Sequence, residues 1–171
     1  FKKITYKQLG KYELIDQINS AKYFGNFDYI DQNRIGIQGW SYGGYISSLA
    51  ITKGADIFKL AIAIAPVTNW RFYDNIYTER YMQKPENNSS GYDENSPINY
   101  VDKLKGKYLL IHGSADDNVH IQNTYEMTSA LIKSNKQFNL FIYPDKNHSL
   151  YGGKTRYHLY NMMTNFITEN L

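Results

Sequence analysis

Apolar positions along the chain change their period several times, and each change predicts an element. From about Glu13 to Phe24, the residues Leu14, Ile15, Ile18, Ala21 and Phe24 recur at helical spacing. Asn33–Trp40 then reads as a short strand ending in Gly39, and from Gly43 to about Lys53 helical spacing returns through Tyr45, Ile46, Leu49 and Ala50. Lys59–Ala65 is a continuous apolar run bounded by Pro66, the pattern of a strand buried on both faces. An irregular polar stretch rich in Tyr, Asn and Ser follows from Val67 to about Lys105, broken by Pro85 and Pro97. Tyr108–His112 predicts a third strand, closed by Gly113. Ile121–Lys133 is helical, with Ile121, Tyr125, Thr128 and Ile132 on one stripe and Thr124, Met127 and Leu131 beside it. Phe138–Tyr143 predicts a fourth strand, ended by Pro144, and a last helix from about Thr155 presents Leu159, Met163, Phe166 and Ile167.

Strands separated by helices imply a parallel sheet, because parallel neighbours need a crossover connection. The expected class is therefore α/β, a parallel sheet flanked by helices, in one domain over residues 1–171. Ligands in such sheets bind beyond the C-terminal ends of the strands.

Composition narrows the function classes. With 42% hydrophobic and 20% charged residues the chain is an ordinary globular one, and 17 tyrosines are its one unusual feature. A net charge of +3 with dispersed lysines, Lys2-Lys3 being the only adjacent basic pair, lacks the footprint of a nucleic-acid binder. The absence of cysteine removes disulfides, thiolate zinc sites and cysteine nucleophiles. The four histidines are not paired at metal-ligand spacing, and no phosphate-cradling glycine motif occurs, so neither metal nor cofactor is expected. The longest apolar run, Leu60–Val67, suits a buried strand rather than a membrane span. The first residue is Phe and no signal peptide is recognisable, so an upstream part of the parent protein is expected.

Gly39-Trp40-Ser41-Tyr42-Gly43 matches G-x-S-x-G where a strand ends and a helix begins. Such a serine must sit on a sharp, strained turn to project its hydroxyl at substrate, and the flanking glycines are expected to make room for that turn. A serine needs a base and a group that orients the base, and in this kind of sheet they follow in the order Ser, Asp or Glu, His. After the third strand stand Asp116 and Asp117, and after the fourth stands His148, all on the sheet edge that carries Ser41. Asp117 also suits an N-cap for the helix near Ile121. Of the other histidines, His112 ends a buried strand, His120 lies too close to the acid in sequence, and His158 falls within the last helix.

Gly39-Trp40-Ser41-Tyr42-Gly43-Gly44-Tyr45, Ala65-Pro66-Val67, Trp70, Tyr73-Asp74, Tyr77-Thr78-Glu79-Arg80-Tyr81 and the run from His112 to His120 together resemble the dipeptidyl peptidase IV branch of the prolyl oligopeptidase family. The resemblance covers nearly the whole chain. It implies an α/β-hydrolase fold, truncated here at its N-terminal side. It implies removal of N-terminal dipeptides from peptides with penultimate Pro or Ala. It assigns the acid to Asp116, leaves Asp117 structural, and makes the backbone N–H of Tyr42 an oxyanion donor. Tyr42, Val67, Trp70, Tyr73, Tyr77 and Val119 become the wall of the proline pocket, and Asn118 a donor to the substrate's peptide carbonyl. A flat pyrrolidine ring packs well on aromatic faces, which fits that wall independently.

The same resemblance implies an N-terminal β-propeller in the parent chain and early hydrolase strands that residues 1–171 do not contain. It also admits a homodimer and a periplasmic or extracellular, membrane-associated location. Ser149 departs from the family, which often has Gly after the histidine. Competing expectations are another hydrolase of the same fold (an acylaminoacyl peptidase, an endo-oligopeptidase or an esterase) and a non-catalytic binding module.

Overall fold

The computed structural model describes residues 3–171, so Lys2 of the lone basic pair lies outside it. Four strands, β1 (Gly36–Trp40), β2 (Leu60–Ile64), β3 (Lys107–Gly113) and β4 (Asn139–Tyr143), form one sheet in the order β1-β2-β3-β4. Every pairing is parallel, with Gly36 opposite Leu60, Leu60 opposite Lys107, and Leu109 opposite Asn139. Among the described residues, six α-helices accompany it: α1 (Lys11–Phe24), α2 (Tyr42–Lys53), α3 (Asn75–Met82), α4 (Ser89–Glu94), α5 (Gln122–Lys133) and α6 (Thr155–Asn170).

Side-chain alternation explains the layering. On β2, Ala61 and Ala63 face a core shared with Leu14 of α1, Leu49 of α2 and Met127 of α5. Leu60, Ile62 and Ile64 face a second core with Leu159, Met163 and Phe166 of α6. Successive strand residues point to opposite faces, so one run of five supplies both cores. Helix α2 is buried from Gly44 to Thr52, and its buried serine and threonine hydroxyls bond back to the helix's own carbonyls. Ser47 donates to Gly43 O at 2.9 Å, Ser48 to Gly44 O at 2.8 Å, and Thr52 to Ser48 O at 2.8 Å.

The structure departs from the sequence expectations in several places. Residues 32–34 form a 3-10 turn, so β1 starts later than Asn33. The stretch expected to be irregular contains α3 and α4; α3 is started by the Asp74 carboxylate, which accepts from Tyr77 N at 2.9 Å. On α5 the buried face is Asn123, Thr124, Met127 and Leu131, while Tyr125 and Ile132 are exposed. On α1 only Leu14 is fully buried, Ile15 and Phe24 being exposed, and Ile167 of α6 is likewise exposed.

Candidate active site

Ser41 stands between β1 and α2 with φ 58° and ψ −116°, a conformation that costs a non-glycine residue about 1–3 kcal/mol. The surroundings over-determine it. Ser41 N donates to Ile64 O at 2.8 Å, which continues the sheet by one residue, while Ser41 O accepts from Tyr45 N at 2.9 Å and opens the helix. A Cβ on Gly39 would lie 2.2 Å from the carbonyl of Gly43, and one on Gly44 2.8 Å from Ile64 O. A Cβ on Gly43 would meet nothing within 4 Å. The close approach is thus made by Gly39 and Gly44, a correction to the expectation that both glycines flanking the serine make room. Tyr42 is the first residue of α2, where a backbone N–H has no intrahelical acceptor and stays free for an anion.

The loops after β3 and β4 are fastened side by side. Ser114 N donates to Tyr143 O at 3.0 Å, Ala115 N to Lys146 O at 3.1 Å, and Asp145 N to Ser114 Oγ at 2.8 Å. Gly113 is pressed so closely on Lys146 that a Cβ there would lie 2.2 Å from its carbonyl oxygen. This pairing brings Asp116 Oδ2 to 2.8 Å from His148 Nδ1. Trp40 Nε1 donates to His148 O at 2.9 Å and ties the histidine loop to the residue before Ser41. No hydrogen bond joins the Ser41 hydroxyl to His148 among the described residues; such links are often long until substrate binds.

Asp116 Oδ1 accepts from Asn118 N at 3.0 Å and Val119 N at 2.9 Å. Burial works to raise the carboxyl pKa, but the hydrogen bonds from His112, His148 and the Asn118 backbone outweigh it and hold it well below the usual carboxylate range. Asp117 is exposed and does not cap α5, whose N-cap is Ile121 without a side-chain bond. His120 is exposed, and His158 pairs with the Tyr143 hydroxyl at 2.8 Å. Ser149 needs no glycine freedom: the positive φ values in this loop belong to Asp145, Leu150, Gly152 and Gly153.

Tyrosines and one tryptophan form a continuous cluster beside the serine. Trp70 stacks on Tyr77 with centroids 5.7 Å apart, meets Tyr73 edge-on at 5.8 Å, and lies 5.6 Å from Tyr42. Tyr73 and Tyr77 touch at 5.4 Å, and Tyr81 extends the cluster at 4.7 Å from Tyr77. Val67, Trp70 and Val119 are buried in the core beneath, so the half-buried Tyr42, Tyr73 and Tyr77 provide its accessible surface. The exposed Asn118 accepts from the Tyr73 hydroxyl at 2.7 Å through Oδ1, which leaves its amide N–H groups able to donate.

Three supporting residues were not identified from the sequence. Glu13 of α1 accepts from the Tyr42 hydroxyl at 2.5 Å and from Gly10 N at 3.1 Å. His112 and Thr124 lie behind Asp116, joined to each other at 2.7 Å. Only the position of His112 at the end of a strand, four residues before the acid, offered a signal.

A parallel sheet with a strained serine between strand and helix, and an Asp–His pair on the two following strand ends, defines an α/β-hydrolase. Within that class the chain belongs to the prolyl oligopeptidase family, whose sequence pattern matches residues 1–171. The solved structure of Porphyromonas gingivalis dipeptidyl peptidase 4 superposes with a TM-score of 0.97 at 51% identity, over 99% of this chain and 24% of that one. Prolyl endopeptidase FAP of Homo sapiens is 44% identical over 168 residues, 96% of this chain and 22% of that protein. Dipeptidyl peptidase 4 of Felis catus is 40% identical over 166 residues, 95% of this chain and 22% of that protein. The chain thus spans under a quarter of the length of these relatives.

Proposed function

We propose that the protein is a serine exopeptidase that releases N-terminal dipeptides from peptides with Pro or Ala in the penultimate position. The observation that carries this reading is the contact of Trp70 with Tyr42, which seats an aromatic cluster on the residue immediately after the candidate nucleophile. A rigid aromatic surface there suits a proline ring and would hold its carbonyl against Ser41.

Ser41 Oγ attacks the carbonyl carbon of the penultimate residue while His148 takes the hydroxyl proton through Nε2, its other nitrogen being engaged by Asp116. The backbone N–H of Tyr42 donates to the oxyanion. Collapse of the tetrahedral species breaks the peptide C–N bond, and His148 returns the proton to the departing amine. Water, deprotonated by His148, then attacks the acyl-enzyme ester and releases the dipeptide, restoring Ser41. Asp116, ionised throughout, holds the imidazole tautomer and stabilises the imidazolium in both halves.

Recognition of the substrate's charged amino terminus is assigned to parts of the longer protein outside residues 1–171, a propeller among them. These residues alone are then expected to turn over poorly, which a side-by-side assay with the full-length protein checks. The substrate class is tested by comparing Ala-Pro, acetyl-Ala and simple ester chromogenic substrates on the full-length protein. Preference for Ala-Pro supports the reading; preference for acetyl-Ala makes the protein an acylaminoacyl peptidase, and turnover of the ester alone an esterase. Failure of a fluorophosphonate to label Ser41 would leave a binding module.

A further inference from the structure

The proposed chemistry uses one imidazole on Asp116, but two reach it. His148 approaches Oδ2 through Nδ1 at 2.8 Å and His112 through Nε2 at 3.2 Å. His112, the last residue but one of β3, has no exposed surface, so it cannot touch substrate. Its Nε2 also lies 2.8 Å from Val119 O. A backbone carbonyl and an ionised carboxylate only accept hydrogen bonds, so Nε2 must carry a hydrogen shared between them. In the neutral imidazole Nδ1 is then left to accept, and Thr124 Oγ1, fully buried on α5 at 2.7 Å, donates to it. The partners on both sides of the ring therefore select one tautomer.

The carboxylate is held from three sides. Asn118 N and Val119 N donate to Oδ1, His148 Nδ1 lies 2.8 Å from Oδ2, and His112 Nε2 approaches the same oxygen at 3.2 Å from the buried side. Any turn of Asp116 away from His148 would break these contacts. We propose that His112 is a positioning residue for the acid of the triad, its Nε2–H holding Asp116 Oδ2 toward His148, with Thr124 fixing the tautomer that makes this possible. With the opposite tautomer, the Nε2 lone pair would face both the carboxylate and the Val119 carbonyl. Asp116 would then turn away from that repulsion and lose its aim at His148.

The kinetic consequence rests on the peptidase reading, but a spectroscopic one does not. In the full-length protein, His112→Leu is expected to lower kcat about ten- to a hundredfold, the worth of one charge-assisted hydrogen bond, with KM within about twofold. His112→Gln, which keeps an N–H at a similar reach, should stay within about threefold of the parent. Thr124→Val should reproduce the direction of the His112→Leu effect, and Thr124→Ser should restore the parent value. The downfield proton resonance of His148 Nδ1–H should be present in the parent, His112→Gln and Thr124→Ser, and shifted upfield or lost in the other two. A folded His112→Leu protein with unchanged kcat and an unchanged resonance overturns the proposal. Where His112→Leu does not fold, the same result in Thr124→Val, which removes a single hydroxyl isosterically, overturns it instead. If the parent itself neither cleaves peptides nor takes a fluorophosphonate, the peptidase reading fails, while the resonance still reports whether His112 aims Asp116.

Discussion

The Tyr42 hydroxyl donates to Glu13 Oε1 at 2.5 Å, joining the residue after the candidate nucleophile to the first turn of α1. The other carboxylate oxygen, Oε2, accepts from Gly10 N at 3.1 Å, so one side chain both steadies the start of a helix and orients the Tyr42 ring. Burial, and then the Glu13 carboxylate, push the Tyr42 phenol far above its ordinary pKa, so it remains a donor at any working pH. Tyr42→Phe removes the orienting bond and leaves the Gly10 contact intact. It is expected to raise KM for an Ala-Pro substrate several-fold while turnover of a small ester stays near the parent value. Steady-state kinetics on both substrates check this, and equal changes on the two would assign the bond to folding alone.

The glycines around Ser41 should separate by substitution. Gly39→Ala places a methyl group against backbone that cannot move and is expected to cost about 3 kcal/mol or more, or to prevent folding. Gly44→Ala should be destabilising to a lesser degree. Gly43→Ala meets open space within a helix, so it should leave stability unchanged or raise it by about 0.5–1 kcal/mol. Urea unfolding of the three variants gives the order directly. A Gly43→Ala protein as unstable as Gly39→Ala would contradict the elbow geometry described here.

How much of this was legible beforehand depended on what each element is made of. The run Leu60–Ile64 had no exposed alternative, and its strand is found within a residue of expectation. Helix α3 was not legible because its start rests on the Asp74 side chain and its end on the positive φ of Gln83, 61°, while Ile76 points to solvent. On α5 the stripe of Thr124, Met127 and Leu131 is the buried one, and Asn123, which accepts from Thr68 N at 2.9 Å, is missing from it because hydrophobic periodicity counts a polar residue as surface. In the site, Asp116 and Asp117 are indistinguishable by type and differ by one position. The turn after β3 separates them, giving Asp116 the N–H groups of Asn118 and Val119 and leaving Asp117 exposed. Glu13 was invisible for a different reason: its partner lies 29 residues away and no local motif links them.

The depressed pKa of Asp116 makes a prediction about acid. Because its folded pKa lies below the unfolded value near 3.9, its contribution to stability is present above about pH 4 and is lost as pH falls through the folded pKa. The stability difference between the parent and Asp116→Asn should therefore not shrink between about pH 7 and pH 4, and should narrow only below that. Urea midpoints of both proteins across this window provide the measurement. A difference that stayed constant well below pH 4 would mean that the folded carboxyl titrates in the ordinary range, and one that grew as pH fell from 7 would mean that its pKa is raised.

Tyr77 stacks on Trp70 and stands apart from the Asp116–His148 pair. Tyr77→Ala removes ring packing without touching that pair. It should lower kcat/KM for an Ala-Pro substrate by about ten- to a hundredfold and for a small ester far less. Equal losses on both substrates would make Tyr77 a structural residue.

If Ser41 is the nucleophile of a proline-directed exopeptidase, one rate reports it most directly. The full-length protein and its Ser41→Ala variant are compared on a chromogenic Gly-Pro substrate under saturating conditions. Because the triad acts as a unit, loss of the hydroxyl is expected to lower kcat by about ten-thousandfold or more, with the fold intact. A folded Ser41→Ala protein that kept its rate within about tenfold of the parent would contradict the account.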